Sequence, residues 1–310
     1  MSCGSGRAAM DGNEERMYHN MREMADLAIA GQVPLSRIIL ENEMKRFGSS
    51  EEQIYEKLSE RYSVMERSAG RALNEPLPTV GGLITGVGKT QYQYAAGTRN
   101  TICGEFINLV MARALSCSEV NASMGRICAA PTAGACGIVP AVLVSYVEQN
   151  GLSREEALRG LLTASGVGAV IMKNATVAGA EGGCQAECGV AAAMAAAAVV
   201  ELAGGNPDAA LNAIAFSLMN CMGLVCDPVA GLVQLPCAQR NASQAVNALL
   251  SADLALAGMP SRIPADEVIE AMYRVGKQLP PQLRETALGG IAATKAGREI
   301  AKEIFGSREE

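Results

Sequence analysis

The chain has 310 residues, 49% of them hydrophobic, yet only 4% are aromatic and Trp is absent. The apolar bulk, drawn from Ala, Val, Leu, Ile and 15 Met, can fill a large core in one or two domains and excludes disorder throughout. A formal net charge of −6, with no Lys/Arg block and no aromatic-interleaved basic stripe, argues against nucleic acid as a partner.

Residues 1–16 read as a polar, flexible lead-in without an apolar signal core, which makes the cytoplasm the expected location. Met17, Met21, Met24, Leu27 and Ala28 then share one helical face that ends near Gly31. Ser50 and Gln53 have the spacing of a capping box ahead of Ile54, Leu58 and Met65, so 17–70 reads as a subregion of two or three amphipathic helices. From Asn74 to Gly97, Pro76, Pro78, Gly81, Gly82, Gly86 and Gly88 call for loops.

A helix is expected from Thr101 to Asn121, followed by the loop CAAPTAGACG. The run IVPAVLV at 138–144 is open between a strand and a helix start around Pro140. Ser153 and Glu156 form a second capping-box pattern. GVAAAMAAAAVVELAGG reads as a helix stopped at Gly204 and Gly205, and Asn206-Pro207 as the N-cap and first residue of the next. Further helices are expected over 241–258 and from Pro264 to about Gly276, with a polar, mixed tail over 280–310. The longest apolar stretch, Gly189 to Val200, is closed by Glu201 and is too short to span a bilayer, so no membrane is expected as partner. The fold class is all-α: a compact helical domain over 17–310, with Gly/Pro-rich loops that carry the chemistry.

Several chemistries can be weighed on those loops. GVGKT at 86–90 has Leu83 where a phosphate loop needs Gly, and no strand precedes it; a turn whose N–H groups and Thr85 hydroxyl cradle a small carboxylate reads better. His19, the single histidine, falls on the first expected helix, which argues against a Ser-His-Asp site within this chain. Lys173 is the best Schiff-base candidate but lacks an associated phosphate cradle. Ten cysteines in so long a chain do not suggest a secreted disulfide scaffold. Cys103, Cys117, Cys128 and Cys136 read as buried thiols, and Cys3 as part of a frayed tail. Cys184, Cys226 and Cys237 stand apart in EGGCQAECG, GLVCDPVAG and LPCAQRN. Spacing leaves three readings open: an iron–sulfur cluster held by three corners, a zinc site, or plain burial.

Four segments taken in order resemble one family: SEVNASMGRICAAPTAGACGIVPAVL (118–143), AEGGCQAECG (180–189), GLVCDPVAGLVQLPCAQRN (223–241) and SRIPADEVIEAMYRVG (261–276). Together they resemble the α chain of the iron–sulfur-dependent L-serine dehydratases, over about Met17 to Gly306. The resemblance implies an all-α catalytic domain with a [4Fe–4S] cluster on Cys184, Cys226 and Cys237, while Cys188 and Cys221 pack. It implies β-elimination of water from L-serine to give pyruvate and ammonia, a step of amino-acid degradation that can feed gluconeogenesis. An open iron would assist the departure of hydroxide. It also implies substrate binding by Pro131, Thr132, Ala133 and Gly134, and by a second loop at Thr85 and Gly86, where this chain reads TGVG in place of an adjacent Gly-Gly.

The family's base lies on a Ser-Ser-His-Thr segment of a β chain or fused β domain, and this chain has no such segment. The implied enzyme is therefore a two-chain assembly, with the base on a β-chain partner. The chain ends in GSREE, so it has no C-terminal cysteine like the one that fused enzymes place on the open iron. Two rivals are a related iron–sulfur L-cysteine desulfidase and a structural or regulatory subunit with inert thiols. PTAGACG, in place of the desulfidases' Ser-Gly-x-Gly-Asn-Gln-like loop, points to serine.

Overall fold

Side-chain caps mark the starts of five α-helices in the computed structural model, which describes residues 16–97 and 100–306. The lead-in expected over 1–16 and Cys3 fall almost wholly outside the described residues. Asn20 accepts the Glu23 N–H at 2.8 Å, so α1 runs Met21–Gly31. His19 therefore precedes the first helix rather than lying on it, and its Nδ1 is 3.2 Å from Lys173 Nζ. After α2 (Leu35–Phe47), Ser50 and Gln53 form the expected capping box and open α3 (Glu51–Asn74).

The loop expected from Asn74 to Gly97 ends early, because α4 spans Val87–Gly97. Gly88 is there a packing residue and not a breaker: a Cβ on it would meet Ser116 Cα at 3.1 Å and Ala72 O at 3.2 Å. α5 covers Gly104–Ala122. α6 (Ile138–Asn150) resolves 138–144 as helix, with Pro140 in the first turn, where its missing N–H costs little. The Ser153/Glu156 box opens α7 (Arg154–Asn174). A short α8 (Gly179–Gly182) and a π-helical turn at Gln185–Gly189 lead into α9 (Val190–Leu202). Asn206 caps α10 (Pro207–Asn220), and α11 (Cys237–Leu256) and α12 (Ala265–Gln278) follow. The tail expected to be polar and mixed holds α13 (Lys295–Phe305), whose Gly297 N–H bonds Thr294 Oγ1 at 3.1 Å.

The chain is all-α, as its sequence indicates. Among the described residues no β-strand occurs, only a single parallel bridge between Cys226 and Arg284. Helix α9 is the hub, with Val190 to Val200 buried on every side against α6, α7, α10 and α11. A helix apolar all round belongs inside a core, and its alanines let the surrounding helices approach closely. With the π turn it forms a stretch, Gln185–Leu202, long and apolar enough to cross a membrane, but 89% of it is buried inside the protein. The Gly189–Val200 run alone is too short for that, and the π turn adds the residues from Gln185 to Cys188 to it. At its far end Glu201 accepts the Ser36 N–H at 3.1 Å and the Thr163 hydroxyl at 2.9 Å.

Candidate active site

Three thiols arrive on three separate elements. Cys184 lies between α8 and the π turn, Cys226 in the loop after α10, and Cys237 at the first position of α11. Cys184 and Cys226 are only 3% and 4% exposed, and Cys237 is half-buried. Burial pushes the Cys226 thiol far up, with the charges of Glu187 and Cys184 adding to it. Burial likewise pushes Cys237 up to about 12. A hydrogen bond with Cys188 holds Cys184 below the ordinary thiol range, and the Arg240 charge helps. Cys188 and Cys221 are buried, and Cys221 donates to Ser217 O at 3.4 Å.

Side chains that the sequence reading did not single out fix these loops. Gln185 N–H bonds Leu224 O at 3.0 Å, while its Oε1 accepts the Gly223 N–H at 2.8 Å, so the Cys184 segment is tied to the Cys226 loop. Arg240, one turn beyond Cys237, brackets Cys226 on both sides. It donates to Val225 O at 2.7 Å and pairs with Asp227 Oδ1 at 2.8 Å. Asp227 Oδ2 in turn accepts the Ile291 N–H at 2.7 Å. An arginine three positions after a cysteine was visible in LPCAQRN, but not its partners.

The loop 131–137 packs directly against this group. Asn241 Nδ2 donates to Gly134 O at 2.7 Å and to Cys237 O at 2.9 Å, and its Oδ1 accepts the Gly137 N–H at 2.8 Å. Asn121 Nδ2, at the end of α5, donates to Ala133 O at 3.2 Å. The Ala130–Pro131 bond is cis, as is Leu235–Pro236 beside Cys237. Among the described residues no group of the chain accepts from the N–H of Thr132, Ala133 or Gly134.

Glu187, only 8% exposed, joins the loop to Cys226. It accepts the Thr132 hydroxyl on Oε1 at 2.8 Å and the Cys226 thiol on Oε2 at 3.8 Å. Two glycines make room for it. A Cβ on Gly134 would sit 3.0 Å from Oε1, and one on Gly179 2.4 Å from Oε2. Burial raises the Glu187 carboxyl above its ordinary value, although the Thr132 hydroxyl opposes the shift.

The second Gly-rich loop does cradle a small carboxylate, as its sequence suggested, but the carboxylate is internal. Glu119 accepts N–H groups from Leu77 at 2.6 Å, Gly86 at 2.9 Å and Gly88 at 3.2 Å. Thr85 Oγ1 accepts the Thr79 N–H at 3.1 Å. The Gly86 amide and the Thr85 hydroxyl thus already have partners within the chain. Gln234, three positions before Cys237, donates to Val80 O at 2.8 Å and keeps this loop beside the thiol-bearing one. Of the cysteines expected to be buried, Cys117 and Cys136 are, Cys128 is half-buried, and Cys103 is exposed because it precedes the first turn of α5.

Among the described residues no three His, Cys, Asp or Glu side chains converge on one point, as a single metal ion would require. The donor set, three soft thiols brought from three elements into mutual electrostatic range, suits a larger group that takes each thiolate at a different metal atom.

Fold and site define an all-α protein whose loops gather buried thiols and carboxylates around a glycine-lined cradle. The chain belongs to the serine dehydratase alpha chain family, whose model matches residues 30–292. It is 48% identical to the L-serine dehydratase, alpha chain, of Peptoniphilus asaccharolyticus, over 93% of this chain and 99% of that protein. It is 44% identical to the probable L-serine dehydratase, alpha chain, of Bacillus subtilis, over 94% of this chain and 96% of that protein. The L-serine dehydratase TdcG of Escherichia coli is 46% identical over 58% of this chain, a match that spans 40% of that longer protein.

Proposed function

We propose that this chain is the α chain of an iron–sulfur-dependent L-serine dehydratase, a lyase that eliminates water from L-serine to give pyruvate and ammonia. The observation that carries the reading is that Glu187 links Thr132 of the 131–137 loop to Cys226, while Gln185 ties the Cys184 segment to the Cys226 loop and Asn241 ties Cys237 to Gly134. The α-chain names of relatives that match nearly end to end support the substrate and the two-chain arrangement. Residues 17–310 act as one catalytic domain, in keeping with a core that runs unbroken from Tyr18 to Met272. All nine described cysteines are free, which suits a reducing compartment, and we place the chain in the cytoplasm.

A [4Fe–4S] cluster held by Cys184, Cys226 and Cys237 would supply Lewis-acid assistance to the departing hydroxide. The chain's own residues do the rest of the positioning. The N–H groups of Thr132, Ala133 and Gly134 are unengaged and suit the serine carboxylate, with Pro131 setting the entry to the loop. Thr85 and Gly86 form a second wall, held in shape by Glu119. No histidine stands among these groups, since His19 is engaged by Lys173. The Cα proton is therefore taken by a base on a β chain.

The test is anaerobic. The α chain, alone and mixed with its β chain, is assayed for ammonia from serine and sulfide from cysteine, alongside iron, acid-labile sulfide and visible absorption. Cys184→Ser, Cys226→Ser and Cys237→Ser are each expected to lose the cluster, and Cys188→Ser to keep it. Turnover by the α chain alone at the rate of the mixture would sink the two-chain reading. Faster release of sulfide than of ammonia would favour a desulfidase, and a colourless protein without sulfide an inert subunit.

A further inference from the structure

Glu187 is the one buried carboxylate of this loop cluster whose role the fold does not explain. Asp227 has the Arg240 guanidinium, and Glu119 has three backbone N–H groups. Among the described residues no Lys or Arg side chain pairs with Glu187, and the nearby Glu285 adds negative charge instead. A buried carboxylate without a cation is costly unless its oxygens are well supplied with donors. Glu187 has two: the Thr132 hydroxyl on Oε1 and the Cys226 thiol, at 3.8 Å, on Oε2.

The second donor is weak: the Cys226 sulfur stands 3.8 Å from Oε2, neither donor carries a charge, and Glu285 is near by. What the position lacks is a small cation with N–H groups. Gly134 and Gly179, from two different segments, lie against its oxygens, where any side chain would collide with the carboxylate.

We propose that Glu187 binds the α-ammonium group of the substrate and so selects amino acids over other hydroxy acids. The inference rests on the serine dehydratase reading above. Thr132 serves it twice, through its amide facing the substrate carboxylate and through the hydroxyl that fixes Oε1. An α-ammonium and an α-carboxylate leave the same carbon. One loop that carries free N–H groups and also grips the ammonium's counter-ion matches that geometry. Glu187 acts here through charge and position and makes or breaks no bond.

The experiment compares Glu187→Gln with the parent in the anaerobically loaded α–β complex. Three readouts are taken: KM and kcat for L-serine, the inhibition constant of 3-hydroxypropanoate, and iron and sulfide content. 3-Hydroxypropanoate keeps the carboxylate and hydroxyl of serine but has no ammonium. Loss of a charge-assisted contact should raise KM for serine about tenfold or more, and lower kcat by less. The inhibition constant of 3-hydroxypropanoate should stay within about twofold of the parent, since it never used Glu187. An unchanged KM, or equal shifts for both molecules, overturns the inference. If Glu187→Gln carries less iron and sulfide than the parent, Glu187→Asp is read by the same criteria, its charge retained but withdrawn. A loaded parent complex that does not turn over serine would instead overturn the functional reading, and this inference with it.

Discussion

Glu119 and Glu187 are both buried carboxylates in the loops around the thiols, and the fold treats them in opposite ways. Glu119 has no exposed surface, and three backbone amides donate to it. Its donors come from the loop it organises, so its charge is spent on shape. Glu187 has a side-chain hydroxyl and a distant thiol, with two glycines packed against it. A carboxylate satisfied by the backbone is part of the frame. One that is short of donors beside reactive groups keeps its capacity for a ligand.

The largest effect bearing on this contrast is expected at the third carboxylate, Asp227, which is 2% exposed and neutralised by Arg240. Arg240→Met leaves Asp227 buried and unpaired and frees the carbonyl of Val225, at a cost of about 3–5 kcal/mol in urea unfolding. Arg240→Lys should recover part of that loss, because it keeps the charge without the two-pronged geometry. Since the guanidinium brackets Cys226 from the helix of Cys237, Arg240→Met should also load less iron and sulfide. A fully stable Arg240→Met protein would show that the Ile291 N–H alone satisfies Asp227.

A smaller effect separates the two glutamates directly. Glu119→Gln weakens three charge-assisted bonds and should lower unfolding free energy by about 2 kcal/mol. Glu187→Gln removes a poorly donated buried charge and should stay within about 1 kcal/mol of the parent, its effect falling on substrate affinity instead. Equal losses in the two variants would break the distinction between frame and site.

What the sequence disclosed follows from the same physics. Capping is local, so Ser50 with Gln53, Ser153 with Glu156 and Asn206 with Pro207 could be read three residues at a time. The cysteine loops were legible through their flanking residues. Glu119 and Glu187 were not, because Gly86 meets Glu119 across 33 positions and Thr132 meets Glu187 across 55. No periodicity reports which amide a distant carboxylate will find. Helix α4 was hidden for a related reason: Gly88 counts as a breaker until α5 is packed against it. Cys103 was misjudged because hydrophobic character says little about a residue placed just outside a helix.

The smallest expected effect tests the contrast away from the site, at Glu201. Burial raises its carboxyl above the ordinary value of 4.5, while the Ser36 N–H and Thr163 hydroxyl pull it back. A carboxyl raised in the folded state binds its proton more tightly there than in the unfolded chain. Its contribution to stability is therefore complete below the unfolded value and is lost as pH rises through the folded one. Glu201→Gln removes that loss, so its unfolding free energy should fall less than the parent's between pH 4.5 and neutrality. Glu43 and Glu187 are shifted in the same direction, so the readout is the difference between variant and parent at each pH. Matching pH slopes would mean that two donors fully offset burial, which would group Glu201 with Glu119 and weaken the case that Glu187 is short of a partner.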